Sequence, residues 1–140
     1  MTVIVCFDTG RGTAFFGKRQ CADRAVTARI VGLAEGRELV MSAYSASLFK
    51  GSGAEITVAE DFSSAGCDAV CFAENTDLSA FSGRADEFII FRWNKVYPRD
   101  RAEGFFPYDE GMKLVSMRDF PGSSHERITE EIWRREERKA

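Results

Sequence analysis

Runs of apolar and β-branched residues, separated by short polar segments, follow one another along the chain and predict a sheet. Residues 3–7 are apolar at every position, which is typical of a strand covered on both faces. A second apolar run spans residues 13–16, and a short glycine-containing loop joins it to the first. The two runs therefore predict a β-hairpin in the centre of the sheet.

Four later segments carry the same strand pattern, and they are residues 55–59, 67–73, 87–93 and 112–117. Residues 77–83 predict a short helix or turn between the second and third of them. Only the loop of residues 94–111 separates the last two strands, so we expect those strands to be antiparallel neighbours.

Two segments fit both a helix and a strand. In residues 22–34, Asp23 is a good N-cap for a helix that places Val26, Ile30 and Leu33 on one face. Alternating apolar positions in the same segment also fit a strand, but the alanine content favours the helix. Residues 37–49 have the same double interpretation, which the sequence leaves open.

The C-terminal segment predicts a helix. Ser123 and Glu126 have the spacing of a capping box, in which each side chain bonds a free backbone N–H of the first turn. The helix is expected to run to about residue 137, with Ile128, Ile132 and Trp133 packed on the sheet.

These elements predict an α+β fold in one globular domain spanning residues 1–140. We expect a mixed or mainly antiparallel sheet of five to six strands, packed against the C-terminal helix and one or two further helices. The chain contains 12 Phe, 2 Trp and 3 Tyr, enough for an aromatic core without a metal or a disulfide.

Charge and targeting signals narrow the class of protein. The formal net charge is −3, which argues against nucleic acid or an anionic membrane as a general partner. The chain has no apolar run long enough to span a membrane and no basic leader of the kind that precedes export, so we expect a cytoplasmic protein. In that compartment the four cysteines are expected to be free thiols.

Asp8, Thr9 and Gly10 close the first predicted strand and open the turn that follows it. This segment resembles the first strand and turn of the ribonuclease-H-like superfamily. The resemblance implies a metal-dependent phosphodiesterase or nuclease in which Asp8 and other carboxylates hold two divalent cations. Glu74 would be the second ligand, and Glu130 or Glu131 the third. An Asp–Gly turn is also what an ordinary hairpin uses.

The cysteines do not form a recognisable metal or nucleophile motif. Cys67 and Cys71 are close in the chain, but structural zinc sites use two such ligand pairs, and the chain has one histidine. Nothing in the sequence pairs His125 with a cysteine. We therefore expect no metal and no cofactor.

The end of the 87–93 strand and the loop after it concentrate cations, aromatic rings and an amide, which suit an anionic ligand. The start of the predicted last helix offers a second set of anion donors, with His125 available for proton transfer. The residues of this candidate anion or partner site are Arg92, Asn94, Lys95, Tyr97, Arg99, Ser123 and His125. A loop whose arginines pair with nearby carboxylates is the alternative interpretation.

No nucleophile, base and orienting group can be assigned together from the sequence, so whether the protein is an enzyme stays open. The leading hypothesis is a small cytosolic binding or interaction domain that takes a protein partner or a small anionic ligand. Its aromatic residues also suggest a homo-oligomer. The alternative is the hydrolase built around Asp8, with Glu74 and Glu130.

Overall fold

The computed structural model describes residues 1–15, 18–74, 76–97, 101–102 and 107–135. Seven strands form its large sheet: β1 (Thr2–Phe7), β4 (Leu39–Met41), β5 (Ile56–Val58), β6 (Val70–Phe72), β7 (Glu87–Arg92), β9 (Lys113–Phe120) and β10 (Ile128–Arg134). A small sheet contains β2 (Gly12–Phe15), β3 (Lys18–Arg19) and β8 (Arg101–Ala102). The α-helices in this part of the chain are α1 (Arg24–Leu33) and α2 (Ala43–Ala46). Short 3-10 helices span Ser47–Phe49, Leu78–Phe81 and Pro107–Glu110.

The large sheet has the strand order β5-β4-β6-β1-β7-β10-β9. Its first five strands are parallel, with β1 between β6 and β7. β10 then runs antiparallel to β7, and β9 antiparallel to β10. The carboxyl ends of five strands therefore share one edge of the sheet.

Apolar residues cover both faces of β1, as its unbroken run of apolar positions predicts. On one face, Ile4 packs with Ile30 of α1 and with Phe91 of β7. On the other face, Val5 packs with Phe81 and Ile90, beneath loops and a 3-10 helix rather than an α-helix. Among the described residues, no helix combines the length and the apolar character needed to cross a bilayer.

The predicted mixed or mainly antiparallel sheet of five to six strands, packed against a C-terminal helix, is wrong, because the sheet has seven strands and is mostly parallel. Parallel strands usually alternate with crossover helices, and that alternation is what reveals them in a sequence. Here the described residues of the connections from β5 to β6 and from β6 to β7 contain no α-helix, so the usual signal is missing.

The predicted C-terminal helix is also wrong, because residues 128–134 form the strand β10. Glu130 and Glu131 sit on opposite faces of that strand, and each is buried against an arginine. In the sequence, two adjacent charges among apolar residues suggest the solvent-exposed face of a helix. In the structure both charges are buried as ion pairs, so they are compatible with a strand inside the sheet.

The predicted hairpin of residues 3–16 is half right. β1 is central, but its neighbours are β6 and β7, while β2 belongs to the small sheet. The turn between β1 and β2 does form, with the Asp8 N–H donating to the Gly12 carbonyl at 3.1 Å. β7 and β9, expected to be neighbours, are separated by β10.

The other segments are closer to expectation. The helix of residues 22–34 is confirmed as α1 with Asp23 as its N-cap. The four later strands are confirmed as β5, β6, β7 and β9. Residues 77–83 contain a 3-10 helix, and residues 37–49 divide between β4 and α2 followed by a 3-10 turn.

A buried ion pair joins α1 to β10 and gives a test of this packing. Glu130 has 2% of its side chain exposed and accepts from the Arg29 Nε at 2.7 Å. We expect Arg29→Met to lower the free energy of unfolding by about 3–5 kcal/mol, because it leaves a buried carboxylate without its cation. Adding Glu130→Gln should recover part of that loss, measured by urea denaturation. A cost for Arg29→Met below about 0.5 kcal/mol would contradict this packing.

Candidate functional site

Polar side chains collect at the edge where the parallel strands end. β1 leads into Asp8, β6 into Glu74 and β7 into Trp93, while α1 begins beside them at its cap, Asp23. Open α/β sheets bind their ligands at this edge, because chain connections there leave a crevice between neighbouring strands. The edge is therefore where a functional site is expected.

Asp23 is the centre of this site, and its side chain is fully buried. One carboxylate oxygen accepts from the backbone N–H of Ala25 at 2.8 Å and of Ser123 at 2.9 Å. The other accepts from the N–H of Ser124 at 2.9 Å and contacts the His125 Nδ1 at 2.8 Å. Both serine hydroxyls also donate to this carboxylate. One side chain thus caps α1 and fixes residues 123–125.

These donors keep Asp23 ionised. Burial opposes its charge, but hydrogen bonds from the Ser123 and Ser124 N–H groups, the His125 ring and the Ala25 N–H outweigh burial. They hold the pKa of Asp23 well below its usual range. An ionised carboxylate can only accept hydrogen bonds, so the proton between Asp23 and His125 lies on the His125 Nδ1.

His125 presents its other ring nitrogen to two further groups. Nε2 lies 3.1 Å from the Cys21 Sγ and 2.9 Å from the Tyr97 hydroxyl. The ring stacks on Trp93, with ring centroids 4.8 Å apart and planes inclined by 22°. In the neutral ring Nδ1 carries the proton that faces Asp23, so Nε2 is an acceptor for the thiol or the hydroxyl.

Cys21 lies half-buried just before α1, and its position follows from that of Asp23 two residues later. Cys21, His125 and Asp23 form a continuous series of contacts, in the order that a nucleophile, its base and the group orienting that base have in hydrolase triads. The Tyr97 hydroxyl lies 2.9 Å from the same His125 Nε2 that faces the Cys21 Sγ. Burial and the neighbouring Cys21 raise the pKa of Tyr97 to about 12, so the hydroxyl stays protonated at neutral pH.

Asp8 holds the loop that carries Tyr97. Its carboxylate accepts from the N–H groups of Gly10 at 2.8 Å, Gly12 at 2.7 Å and Tyr97 at 3.2 Å, and from the Gln20 amide at 3.2 Å. Burial alone would raise the pKa of Asp8, but these donors lower it. Asp8 therefore works as a turn residue that places Tyr97 beside His125.

The other carboxylates of the nuclease hypothesis are engaged elsewhere. Glu74 pairs with Arg19, Glu130 with Arg29 and Glu131 with Arg92, each at 2.9 Å or less. In the part of the chain that the structure describes, no three His, Cys, Asp or Glu side chains are grouped to hold a metal ion. The geometry gives the Asp8-centred nuclease no support, because its carboxylates serve separate ion pairs and turns.

The predicted anion site is partly brought together. Tyr97 and His125 are in contact, and Ser123 shares the carboxylate of Asp23 with His125. Arg92 instead pairs with Glu131, and the Asn94 amide donates to the Thr129 hydroxyl at 3.0 Å. Lys95 is exposed, and Arg99 lies outside the described residues. Binding of an anion by this set stays a prediction.

Sequence reasoning missed Cys21 and treated Asp23 only as a helix cap. Cys21 and His125 are 104 positions apart, and their meeting depends on a loop that was expected to open a helix. The available signal was that Asp23 closely follows a cysteine in a chain with one histidine. No protein-family model matches the chain, and the comparison with curated proteins finds no match.

The charge of Asp23 makes folding sensitive to acid. Its folded-state pKa is depressed, so its contribution to stability is fully present above the unfolded value of about 3.9 and is lost as the pH falls below it. We expect Asp23→Asn to cost about 3 kcal/mol at pH 7 and to flatten the fall in unfolding free energy between about pH 5 and pH 2. Asp68→Asn, at an exposed position, is the control and should leave the profile unchanged. Parallel profiles for wild type and Asp23→Asn would contradict this role.

Gly122 leaves room for the Asp23 carboxylate. A Cβ atom at this position would lie 2.5 Å from the Asp23 Oδ2 and 2.8 Å from the Ile128 Cδ1. We expect Gly122→Ala to lower the unfolding free energy by about 1–3 kcal/mol, through overpacking rather than backbone strain. The matched control is Gly32→Ala in α1, where nothing lies within 4 Å and alanine should add about 0.5–1 kcal/mol. Equal melting shifts for the two variants would contradict the close approach at Gly122.

Proposed function

We propose that this protein is a cysteine-dependent hydrolase that cleaves an ester, thioester or amide through a covalent intermediate on Cys21. The observation that carries the proposal is the continuous hydrogen-bonded series of Cys21, His125 and Asp23. The Sγ lies 3.1 Å from Nε2, and Nδ1 lies 2.8 Å from the buried carboxylate. These distances fall within the reach expected of a nucleophile and its base.

Each residue has a distinct role in the proposed reaction. His125 Nε2 takes the thiol proton as the Cys21 sulfur attacks the carbonyl carbon. Asp23 keeps the proton on Nδ1 and stabilises the positive ring that results. The same ring then returns its proton to the departing alcohol, thiol or amine. A water molecule, deprotonated by His125, releases the acid and restores the thiol.

Tyr97 is the proposed donor to the oxygen that gains negative charge. Its hydroxyl contacts the His125 Nε2, which also faces the Cys21 Sγ, so it lies near the atom at which the tetrahedral intermediate would form. With a pKa of about 12 it remains a hydrogen-bond donor at neutral pH. Asp8 supports this role by holding the Tyr97 backbone.

A second proposal is that the surface around Tyr97, Ser123 and His125 binds a small anion or a protein partner. The contact between the Tyr97 loop and residues 123–125 favours it, because it joins the two segments that the hypothesis requires. Cys21→Ala separates the two proposals, since it removes the nucleophile and keeps the loop contact.

We also propose a cytoplasmic location, where a reducing environment would keep Cys21 a thiol.

Selective alkylation tests the hydrolase proposal without knowledge of the substrate. We expect iodoacetamide at pH 7 to modify Cys21 at least about tenfold faster than the exposed Cys67, because a neighbouring base makes the thiolate. Cys71 should stay unmodified, since burial raises its pKa to about 11. His125→Asn should slow alkylation of Cys21 and leave that of Cys67 unchanged, as read by peptide mass spectrometry.

Turnover of a chromogenic acyl ester provides the second readout. We expect wild type to release a burst of phenolate and Cys21→Ser to lose at least about a hundredfold in rate. Cys67→Ser is the matched control and should keep full activity. Alkylation of Cys21 no faster than that of Cys67 would contradict the proposal.

A further inference from the structure

A second cysteine lies beside the proposed nucleophile. Cys6 is near the end of β1, and it lines the same small cavity as Cys21, together with Val26, Phe72 and Trp93. The cavity has a volume of about 10 Å³, far below the roughly 300–1,000 Å³ of small-molecule sites. Both thiols pack against the apolar cluster on the α1 side of the sheet. The cavity thus brings two thiols together rather than enclosing a substrate.

The other two cysteines are placed differently. Cys71 belongs to the apolar cluster on the opposite face of the sheet, and Cys67 is exposed. Among the four free cysteines, Cys6 and Cys21 are therefore the pair that shares a cavity.

The two thiols of this pair differ in reactivity. Burial raises the pKa of Cys6 well above its usual value, and the negative charge of Glu74 raises it further. Cys6 therefore stays protonated and cannot start a reaction at neutral pH. Cys21 has His125 within 3.1 Å to take its proton. Cys21 is therefore suited to react first with an oxidant, and Cys6 is suited to react afterwards with the oxidised Cys21.

We propose that Cys6 and Cys21 form a reversible disulfide when Cys21 is oxidised by a hydroperoxide. The inference rests on the proposed role of Cys21 as the thiolate-forming residue. The resulting bond would remove Cys21 from His125 and stop the proposed hydrolysis. A dithiol reductant would restore both thiols.

The oxidation proceeds in two balanced steps. The Cys21 thiolate attacks one oxygen of the hydroperoxide, the O–O bond breaks, and the other oxygen leaves as an alcohol or water after taking a proton from His125. Cys21 is then a sulfenic acid. The Cys6 sulfur attacks the Cys21 sulfur, the S–O bond breaks, and the hydroxyl leaves as water with the Cys6 proton. The peroxide is reduced by two electrons, and the two thiols are oxidised to one disulfide.

Hydrogen peroxide followed by non-reducing peptide mapping tests this inference directly. Trypsin releases Cys6 in residues 1–11 and Cys21 in residues 20–24, so a linked pair of these peptides, lighter by two hydrogens, is the expected product. Dithiothreitol should separate the two peptides. In Cys6→Ala, a dimedone adduct or a sulfinic acid should appear on Cys21 in place of the link. Cys67→Ser is the control and should form the link as wild type does.

The experiment distinguishes a failure of the disulfide proposal from a failure of the proposed function. A wild-type protein that gives a sulfenic or sulfinic acid on Cys21 with no link to Cys6 overturns the disulfide and leaves the nucleophile intact. The disulfide is likewise overturned, and the nucleophile kept, if peroxide gives no link while iodoacetamide still modifies Cys21 faster than Cys67. If Cys21 reacts with neither reagent, both the disulfide and the proposed function fail. The peptide map of the wild-type protein tests the link between Cys6 and Cys21 even if Cys6→Ala folds poorly.

Discussion

The carboxylate of Asp23 is the interaction on which the site depends. It has no exposed surface, and its two oxygens meet donors from the first turn of α1 and from residues 123–125. A buried charge is costly unless such donors surround it, as they do here. The same carboxylate therefore fixes the end of a helix, the loop before β10 and the tautomer of His125.

The mostly parallel sheet explains why these groups meet. It brings the ends of β1, β6 and β7 to one edge, where α1 also starts, so segments distant in the chain become neighbours. Asp8 adds the loop that carries Tyr97, and Trp93 supplies a flat apolar surface beneath the histidine ring. The result is a base held on both sides, by a carboxylate at one nitrogen and by a thiol and a hydroxyl at the other.

Local signals predicted several individual elements, although the predicted fold was wrong. Asp23 was predicted to cap a helix because capping depends on adjacent residues alone, and β1 was identified by its apolar run. The sheet topology could not be predicted in this way, because two of its crossovers show no α-helix in the part of the chain that the structure describes. β10 was predicted as a helix because two adjacent glutamates are not expected inside a sheet. Glu130 and Glu131 can be buried only because each pairs with an arginine far away in the chain. The sequence did not reveal the site for the same reason, because the contact between Cys21 and His125 depends on the loop before β10 and forms only in the folded sheet.

The chain has one histidine, so the central claim can be tested by one spectrum. In protein labelled with ¹⁵N-histidine, two-dimensional NMR correlates the ring protons with both ring nitrogens and distinguishes the tautomers. At a pH where the ring is neutral, the account predicts a proton on Nδ1, shifted downfield and slow to exchange because it is held by buried Asp23. Nε2 should give the signal of an unprotonated nitrogen that accepts a hydrogen bond. A proton on Nε2, or a rapidly exchanging ring like that of free histidine, would contradict the account.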